Sequence, residues 1–534
     1  MGDGMDRRSV IAAAAGVLCT PMAHAASAEP IARTRQGLVQ GYRDGPIKVF
    51  KNIPYGAPTG GANRWLASKP PASWSGIRLA VEQGGMCPQI RLPGAQMQEN
   101  AAMGQNGPLT EDCLNLNVYT PAVGPRSGKR PVMVWYHGGQ YVNGSGGASC
   151  YDGANMARKQ DVVIVTVTHR LNIFGFLYLE DIFGPFFADS GNVGILDCIA
   201  ALRWVRDNIA EFGGDPNLVT TFGQSGGGGK VSTMMGMPAA KGLFKRAISQ
   251  SSAAVRSLTR DVAIRQAKQV VDMLGAKTAA DMQAISADRL LEAMTAVRFQ
   301  SGPMVDGKNL PDHVFDPKAS PLQADIPMLM GNTETEITFV NGTPLDPIDD
   351  ADLQSRVKAL FRSSDMDADQ IIKLFRGRYP GRDNTYLFQL IGSQASNFQT
   401  STYTQVERKS EQGGAPIWYY YFTHNVPARG GRLHAPHTGE IPYLFDSLAR
   451  SEPMVGPITP REAEVADTMS TTWATFARTG NPNNPKIPLW PPFDTRRRAT
   501  LIIDNQCKVV DDPIGPTRAA IAAIQAKAPR SASR

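Results

Sequence analysis

The chain has 534 residues, 42% hydrophobic and 19% charged, which is ample material for a large buried core. Its 55 basic and 48 acidic residues leave a formal net charge of +7 with no long basic tract, so the charge pattern gives a nucleic-acid partner no support. Beyond the N-terminal leader, no stretch reaches the roughly 20 consecutive apolar residues of a membrane-spanning helix.

Residues 1–25 read as an export signal. Asp6-Arg7-Arg8-Ser9 precedes an alanine-rich apolar run from Val10 to Met22, and Ala23-His24-Ala25 follows as an Ala-x-Ala cleavage site. The paired arginines point to the twin-arginine route, while Asp6 ahead of them leaves the general secretory route open. Cleavage is expected after Ala25, with Ala28 as the alternative, giving a periplasmic or secreted protein. Pro21 and the shortness of the run argue against a membrane anchor, and Leu18 before Cys19 argues against lipid attachment. Residues 26–534 then form a single domain. Its cysteines are Cys87, Cys113, Cys150, Cys198 and Cys507, an odd set that leaves at least one free thiol. Cys198 falls in a helical pattern and reads as a small buried hydrophobe.

Along the mature chain, Gly37 to Tyr42 and Ile47 to Ile53 alternate as an N-terminal hairpin. Pro- and Gly-rich sequence follows through Pro108, and Glu111 to Tyr119 brings the chain into a strand. Cys87 and Cys113 are placed to pair as a disulfide across this excursion, a closure worth about 3 kcal/mol in the chain-entropy model. Pro131 to Tyr136 is an interior strand running into His137-Gly138-Gly139-Gln140-Tyr141, and Val162 to Thr168 is another. Such continuous apolar runs, alternating with helices, indicate a parallel sheet covered on both faces. Ile195, Ile199, Leu202, Val205 and Ile209 recur at helical spacing between Gly194 and Phe212.

Asn217 to Lys230 is the stretch on which the chemistry turns. Leu218 to Phe222 reads as a buried strand, and Gly223-Gln224-Ser225-Gly226-Gly227 leads into a helical segment. A strand that passes through a Gly-flanked serine into a helix is a nucleophile elbow. The turn is tight enough to strain the serine, and its neighbours must be nearly bare for strand and helix to approach. Arg246 to Ser249 and Ile326 to Met330 are further strands, with helices from Asp261 to Gln300 and from about Asp350 to Gln412. The acidic run at 346–352 reads as a solvated face. Pro416 to Thr423 is an aromatic strand, Pro460 to Arg478 a helix, and Ala499 to Asp504 closes the sheet.

A serine hydroxyl is a poor nucleophile at neutral pH and needs a neighbouring base. Histidine suits that role, and a carboxylate must hold its tautomer. In this kind of fold the chain order is Ser, acid, His. Four histidines follow Ser225: His313, His424, His434 and His437. His313 precedes the acid candidates and His424 ends a strand. His434 and His437 share one loop, and Glu334 and Glu336 both follow the strand ending at Met330. The residues by themselves leave both choices open.

Three motifs in this order resemble the type-B carboxylesterases, which include cholinesterases and bacterial para-nitrobenzyl esterases. They are Glu-Asp-Cys-Leu-Asn-Leu-Asn-Val-Tyr at 111–119, His-Arg-Leu-Asn-Ile-Phe-Gly-Phe-Leu at 169–177, and Gly191 to Gly227 through the elbow. The resemblance runs from about Arg33 to the last strand and implies an α/β-hydrolase fold, a mostly parallel sheet with helices on both faces. It also implies helical insertions over the site at about 253–320 and 340–414. The family's acid lies in Gly-x-x-x-(Asp/Thr)-Glu-x-x-Phe, matched by Gly331, Thr335, Glu336 and Phe339. Its histidine precedes a Glu-Ile-Pro-Tyr-like run by three residues, here Glu440 to Tyr443. The implied triad is Ser225, Glu336 and His437.

The resemblance also implies an oxyanion hole from the amides of Gly139, Gln140 and Gly226. Three residues depart from the family pattern: Gln140 for Gly or Ala, Gln224 for Glu, and Gly226 for Ala. The segment from Cys87 to Cys113 lacks the tryptophan with which cholinesterases hold choline, so a cationic choline ester is not expected. Glu111, Asp112 and Arg170 read as structural ion-pair residues. The implied activity is hydrolysis of a small-molecule carboxylic ester through an acyl-enzyme, with no metal and no organic cofactor. The alternatives are an amide or carbamate hydrolase with the same triad, or a non-catalytic binding protein, which the intact triad disfavours.

Overall fold

The computed structural model describes residues 29–90, 103–105, 107–338, 342–362 and 365–527. The expected export signal and Phe339 lie outside these residues. In chain order the strands are β1 (Ile31–Arg33), β2 (Leu38–Gln40), β3 (Tyr42–Asp44), β4 (Ile47–Pro54), β5 (Ile77–Leu79), β6 (Asn115–Thr120) and β7 (Arg130–Tyr136). There follow β8 (Val163–Val167), β9 (Gly214–Gln224), β10 (Arg246–Gln250), β11 (Met328–Thr333), β12 (Ile417–Phe422), β13 (Ala499–Ile503) and β14 (Lys508–Asp511). Strands β1, β2 and β5 form a small sheet, and the other eleven form a large one in the order β3-β4-β6-β8-β7-β9-β10-β11-β12-β13-β14. From β8 across to β13 every pairing is parallel. The pairings toward both edges are antiparallel.

Side chains on a strand alternate between faces, and here both faces are apolar because both are covered. On β7, Val132, Val134 and Tyr136 enter one core while Met133 and Trp135 enter the other. On β12, Ile417, Tyr419 and Tyr421 share the first core, and Trp418, Tyr420 and Phe422 the second. Burying each Val, Ile or Phe in such a sheet is worth about 1.5–3 kcal/mol. The helix Val193–Asn208 covers the first face with Ile195, Ile199, Leu202 and Val205, and the 3₁₀ turn Ile209–Phe212 completes the expected segment. Arg170 is wholly buried against Asp197 at 2.6 Å, and Arg64 pairs with Glu111 at 2.5 Å, both structural braces.

Three expectations are corrected. The N-terminal hairpin is β3 with β4, whereas β2 pairs instead with β1, because the chain divides at Gly41. The sheet does not close at β13, since β14 adds an antiparallel edge. The Cys87–Cys113 disulfide is not formed, and both residues are free buried thiols. The neighbouring Cys87 thiol, together with burial, pushes the Cys113 thiol well up. Cys87 Sγ also accepts from the Leu171 amide at 3.3 Å. Packing rather than a covalent link anchors the preceding excursion, where Trp65 is fully buried and donates to the Ile173 carbonyl at 2.8 Å.

Both variable segments carry helices. The first holds Arg260–Leu274, Ala279–Ala284 and Ala287–Ala296. The second holds Asp350–Phe361, Asp365–Arg378, Asn384–Ala395 and Asn397–Glu411. Its acidic entrance is a solvated face: Asp349 caps Asp350–Phe361, and Asp346, Asp350 and Asp352 pair with Arg432, Arg376 and Arg356. Among the described residues no helix is long and apolar enough to cross a membrane.

Candidate active site

Strand β9 ends at Gln224, and the helix Gly226–Met234 begins one residue beyond Ser225. Ser225 therefore has φ 57° and ψ −125°, a strained conformation for a residue with a Cβ that costs on the order of 1–3 kcal/mol. Its amide donates to the Gln250 carbonyl at 2.8 Å, and its carbonyl accepts from the Gly229 amide at 2.9 Å, so the surroundings hold it there. A Cβ on Gly227 would lie 1.9 Å from the Tyr136 carbonyl oxygen, which is why strand and helix meet only through glycine. The serine stands at the carboxyl end of β9, beside β7, where the strand order reverses and ligand sites form in open α/β sheets. Together with Gln140 and Gly226 it lines a cavity of about 450 Å³.

The register Tyr136↔Gly223 brings the loop after β7 directly against the elbow. Gly139 and Gln140 both take positive φ, 82° and 54°. Among the described residues the amides of Gly139, Gln140 and Gly226 donate to no protein acceptor. A Cβ on Gly226 would come within 2.0 Å of the Gln140 carbonyl oxygen, so the loop sits closer to the elbow than an alanine there would permit.

Glu336 follows β11 and His437 follows β12, and a parallel bridge between Thr335 and Pro436 pins the two loops together. His437 Nδ1 lies 2.5 Å from Glu336 Oε2. The other oxygen, Oε1, accepts from Ser251 Oγ at 2.7 Å, Asn332 Nδ2 at 2.9 Å and the Thr333 amide at 3.0 Å. Burial pushes this carboxyl up, but the His437 charge and these donors outweigh it and hold it below the usual carboxylate range. With Nδ1 donating to Glu336, Nε2 is the accepting nitrogen. Gln224 Nε2, one residue before Ser225, is 3.2 Å from it. The Phe398 ring lies against the imidazole with centroids 4.2 Å apart.

The competing residues lie elsewhere. Tyr386 donates to Glu334 at 2.5 Å and stacks on His434 at 3.9 Å, so the alternative acid and base share one tyrosine away from Ser225. Desolvation raises the Glu334 carboxyl to about 7. His424 is buried between Glu462 and Asp504, and His313 accepts from the Ser257 amide at 3.2 Å. His137 is kept neutral by burial, with its Nδ1 2.8 Å from the Gly138 carbonyl. Sequence reasoning missed Ser251, Asn332 and Phe398. Ser251 reaches Glu336 because β10 and β11 are neighbours, Asn332 reaches it from the end of β11 four residues upstream, and Phe398 comes from the second variable segment. That segment and residues 253–258 and 301–303 of the first also wall the cavity.

The sheet order, the strained serine between β9 and its helix, and the acid and histidine loops after β11 and β12 define the α/β-hydrolase fold. A model of the carboxylesterase family matches residues 28–521. The para-nitrobenzyl esterase of Bacillus subtilis (strain 168) is 32% identical over 499 residues, covering 90% of this chain and 96% of its own. The phenmedipham hydrolase of Pseudarthrobacter oxydans is 31% identical over 523 residues, covering 92% and 99%. Among solved structures, the carboxylesterase EST55 of Geobacillus stearothermophilus is similar at a TM-score of 0.77 and 32% identity, covering 92% of this chain and 99% of that one. An esterase of Clostridium hathewayi reaches 0.80 at 29% identity, covering 93% and 98%. The chain belongs to the carboxylesterase family and is a carboxylic ester hydrolase.

Proposed function

We propose that Ser225, His437 and Glu336 are the catalytic triad of a serine carboxylesterase acting through an acyl-enzyme. The observation that carries this is the 2.5 Å contact from Glu336 to His437, whose imidazole lies against the residue preceding the strained Ser225. Ser225 Oγ bonds to the ester carbonyl carbon as its proton passes to His437 Nε2. The carbonyl oxygen becomes an oxyanion and accepts from the amides of Gly139, Gln140 and Gly226. Glu336 stabilises the imidazolium. Collapse breaks the bond to the alkoxy oxygen, and the leaving alcohol takes the proton from Nε2. Water then adds to the acyl carbon by the same route, releasing the acid and restoring Ser225.

The substrate in this reading is a small-molecule ester held in the 450 Å³ cavity. The N-terminal leader supports an exported, periplasmic or secreted, enzyme. N-terminal sequencing of the mature protein tests this, with Ala26 or Glu29 expected as the first residue.

A fluorophosphonate probe tests the triad. We expect one labelled serine per chain, no label in Ser225→Ala, and para-nitrophenyl ester turnover at least about 10⁴-fold lower in that variant. Undiminished turnover by Ser225→Ala would refute the assignment. A panel of acyl chain lengths, bulky aromatic esters, amides and carbamates then defines the preferred bond.

A further inference from the structure

Lys230 lies on the helix that follows Ser225, one turn beyond the elbow, and its side chain is wholly buried. Its Nζ donates to the His137 carbonyl at 3.0 Å and to the Gln140 carbonyl at 2.8 Å, and lies 5.4 Å from the Tyr141 ring centroid. Among the described residues it forms no ion pair. The titratable groups that face it are His137, His169, Tyr141 and Cys198. Burial and the Lys230 charge keep both imidazoles neutral. Burial also raises the Tyr141 hydroxyl to about 12 and pushes the Cys198 thiol up. A buried ammonium without a carboxylate is costly, and an apolar side chain of the same length would avoid that cost. Burial accordingly brings Lys230 down to about 7.

We infer that Lys230 is a positioning residue for the oxyanion loop, tying the helix after the nucleophile to the carbonyls on either side of the Gly139 and Gln140 amides. The inference rests on the assignment of Ser225 and of that loop proposed above. Gln140 has a Cβ and sits at φ 54°, a conformation that persists only where the surroundings over-determine it. Two contacts supply that determination: Lys230 holds the Gln140 carbonyl, and Gly226 leaves the space into which that carbonyl is drawn. Residues 140, 226 and 230 thus act as one unit. A shift of about 1 Å in positioned donors is enough to cost on the order of 10²-fold in rate.

The test is Lys230→Met, normalised to active sites by fluorophosphonate titration. We expect kcat on a para-nitrophenyl ester to fall about 10- to 100-fold, short of the 10²–10³ for deleting a donor outright, with KM within about threefold. Affinity for a trifluoromethyl ketone, which presents a tetrahedral oxyanion, should fall by the same factor as kcat/KM. A merely structural lysine would lower thermal stability while leaving kcat and ketone affinity per titrated site at wild-type values, and that result overturns the inference. Should Lys230→Met not accumulate as folded protein, Lys230→Gln, whose shorter side chain reaches at most one carbonyl, takes the same measurements. Loss of kcat with KM held supports the tie, and wild-type kcat refutes it. If wild-type protein is itself not labelled at Ser225, the triad reading fails; if it is labelled and the variants are unimpaired, Lys230 alone is excluded.

Discussion

The two sides of Ser225 bury charge by opposite means. On the triad side a carboxylate is closed in with an imidazole and three further donors, so Glu336 stays ionised below its ordinary range. On the oxyanion side an ammonium faces carbonyl oxygens and neutral rings, and burial lowers Lys230 to about 7. In the proposed mechanism the first arrangement keeps a permanent charge where an imidazolium forms. In that mechanism the second keeps a donor whose charge is marginal beside the loop that receives a negative oxygen. Pairing, rather than depth, separates them.

The largest effect is expected from removing the paired charge. Glu336→Gln should lower kcat about 10³–10⁴-fold, because the amide no longer enforces the tautomer, while Glu334→Gln should stay within about twofold. Steady-state kinetics on one ester decides, and equal losses in both variants would dissolve the distinction between the two glutamates. Next comes Gly226→Ala, whose Cβ meets the Gln140 backbone and displaces the oxyanion loop. We expect kcat about 10–100-fold lower with KM nearly constant. An unaffected kcat would show that the loop tolerates retreat.

Gln224→Glu places an anion beside the imidazole, favours its charged form, and should raise the His437 pKa. Since the base acts when neutral, the acid limb of the kcat/KM profile should move upward by about one pH unit. A limb that stays put would mean that residue 224 is not coupled to the base. The smallest effect concerns stability. Lys230 titrates near 7 folded and near 10.5 unfolded, so its cost is fully present below pH 7 and is relieved as pH rises toward 10.5. Between those values the unfolded chain binds the extra proton. Wild-type protein should therefore gain unfolding free energy relative to Lys230→Met from pH 7 to 10, measured by chemical denaturation. A parallel pH dependence in the two proteins would contradict the unpaired ammonium.

The elbow was legible from residues 218–227 because its requirement is local: a β run, a serine and bare neighbours. The paired loops were not legible from local residues, and there only the family resemblance chose Glu336 and His437. Choosing Glu336 over Glu334, or His437 over His434, depends on which side chains the Thr335–Pro436 bridge turns toward Ser225, and Tyr386 draws the other two away. The expected Cys87–Cys113 disulfide is likewise not formed, and both residues are free buried thiols.

Periodicity and turn chemistry in the sequence determined the parallel sheet and the strained serine, because each depends on neighbours a few residues apart. The contacts of Glu336 with His437 and Ser251, the contact of Gln224 with His437 and the tie from Lys230 to residues 137 and 140 were decided only by the tertiary structure. Those contacts join atoms that the strand order, not the chain order, makes adjacent.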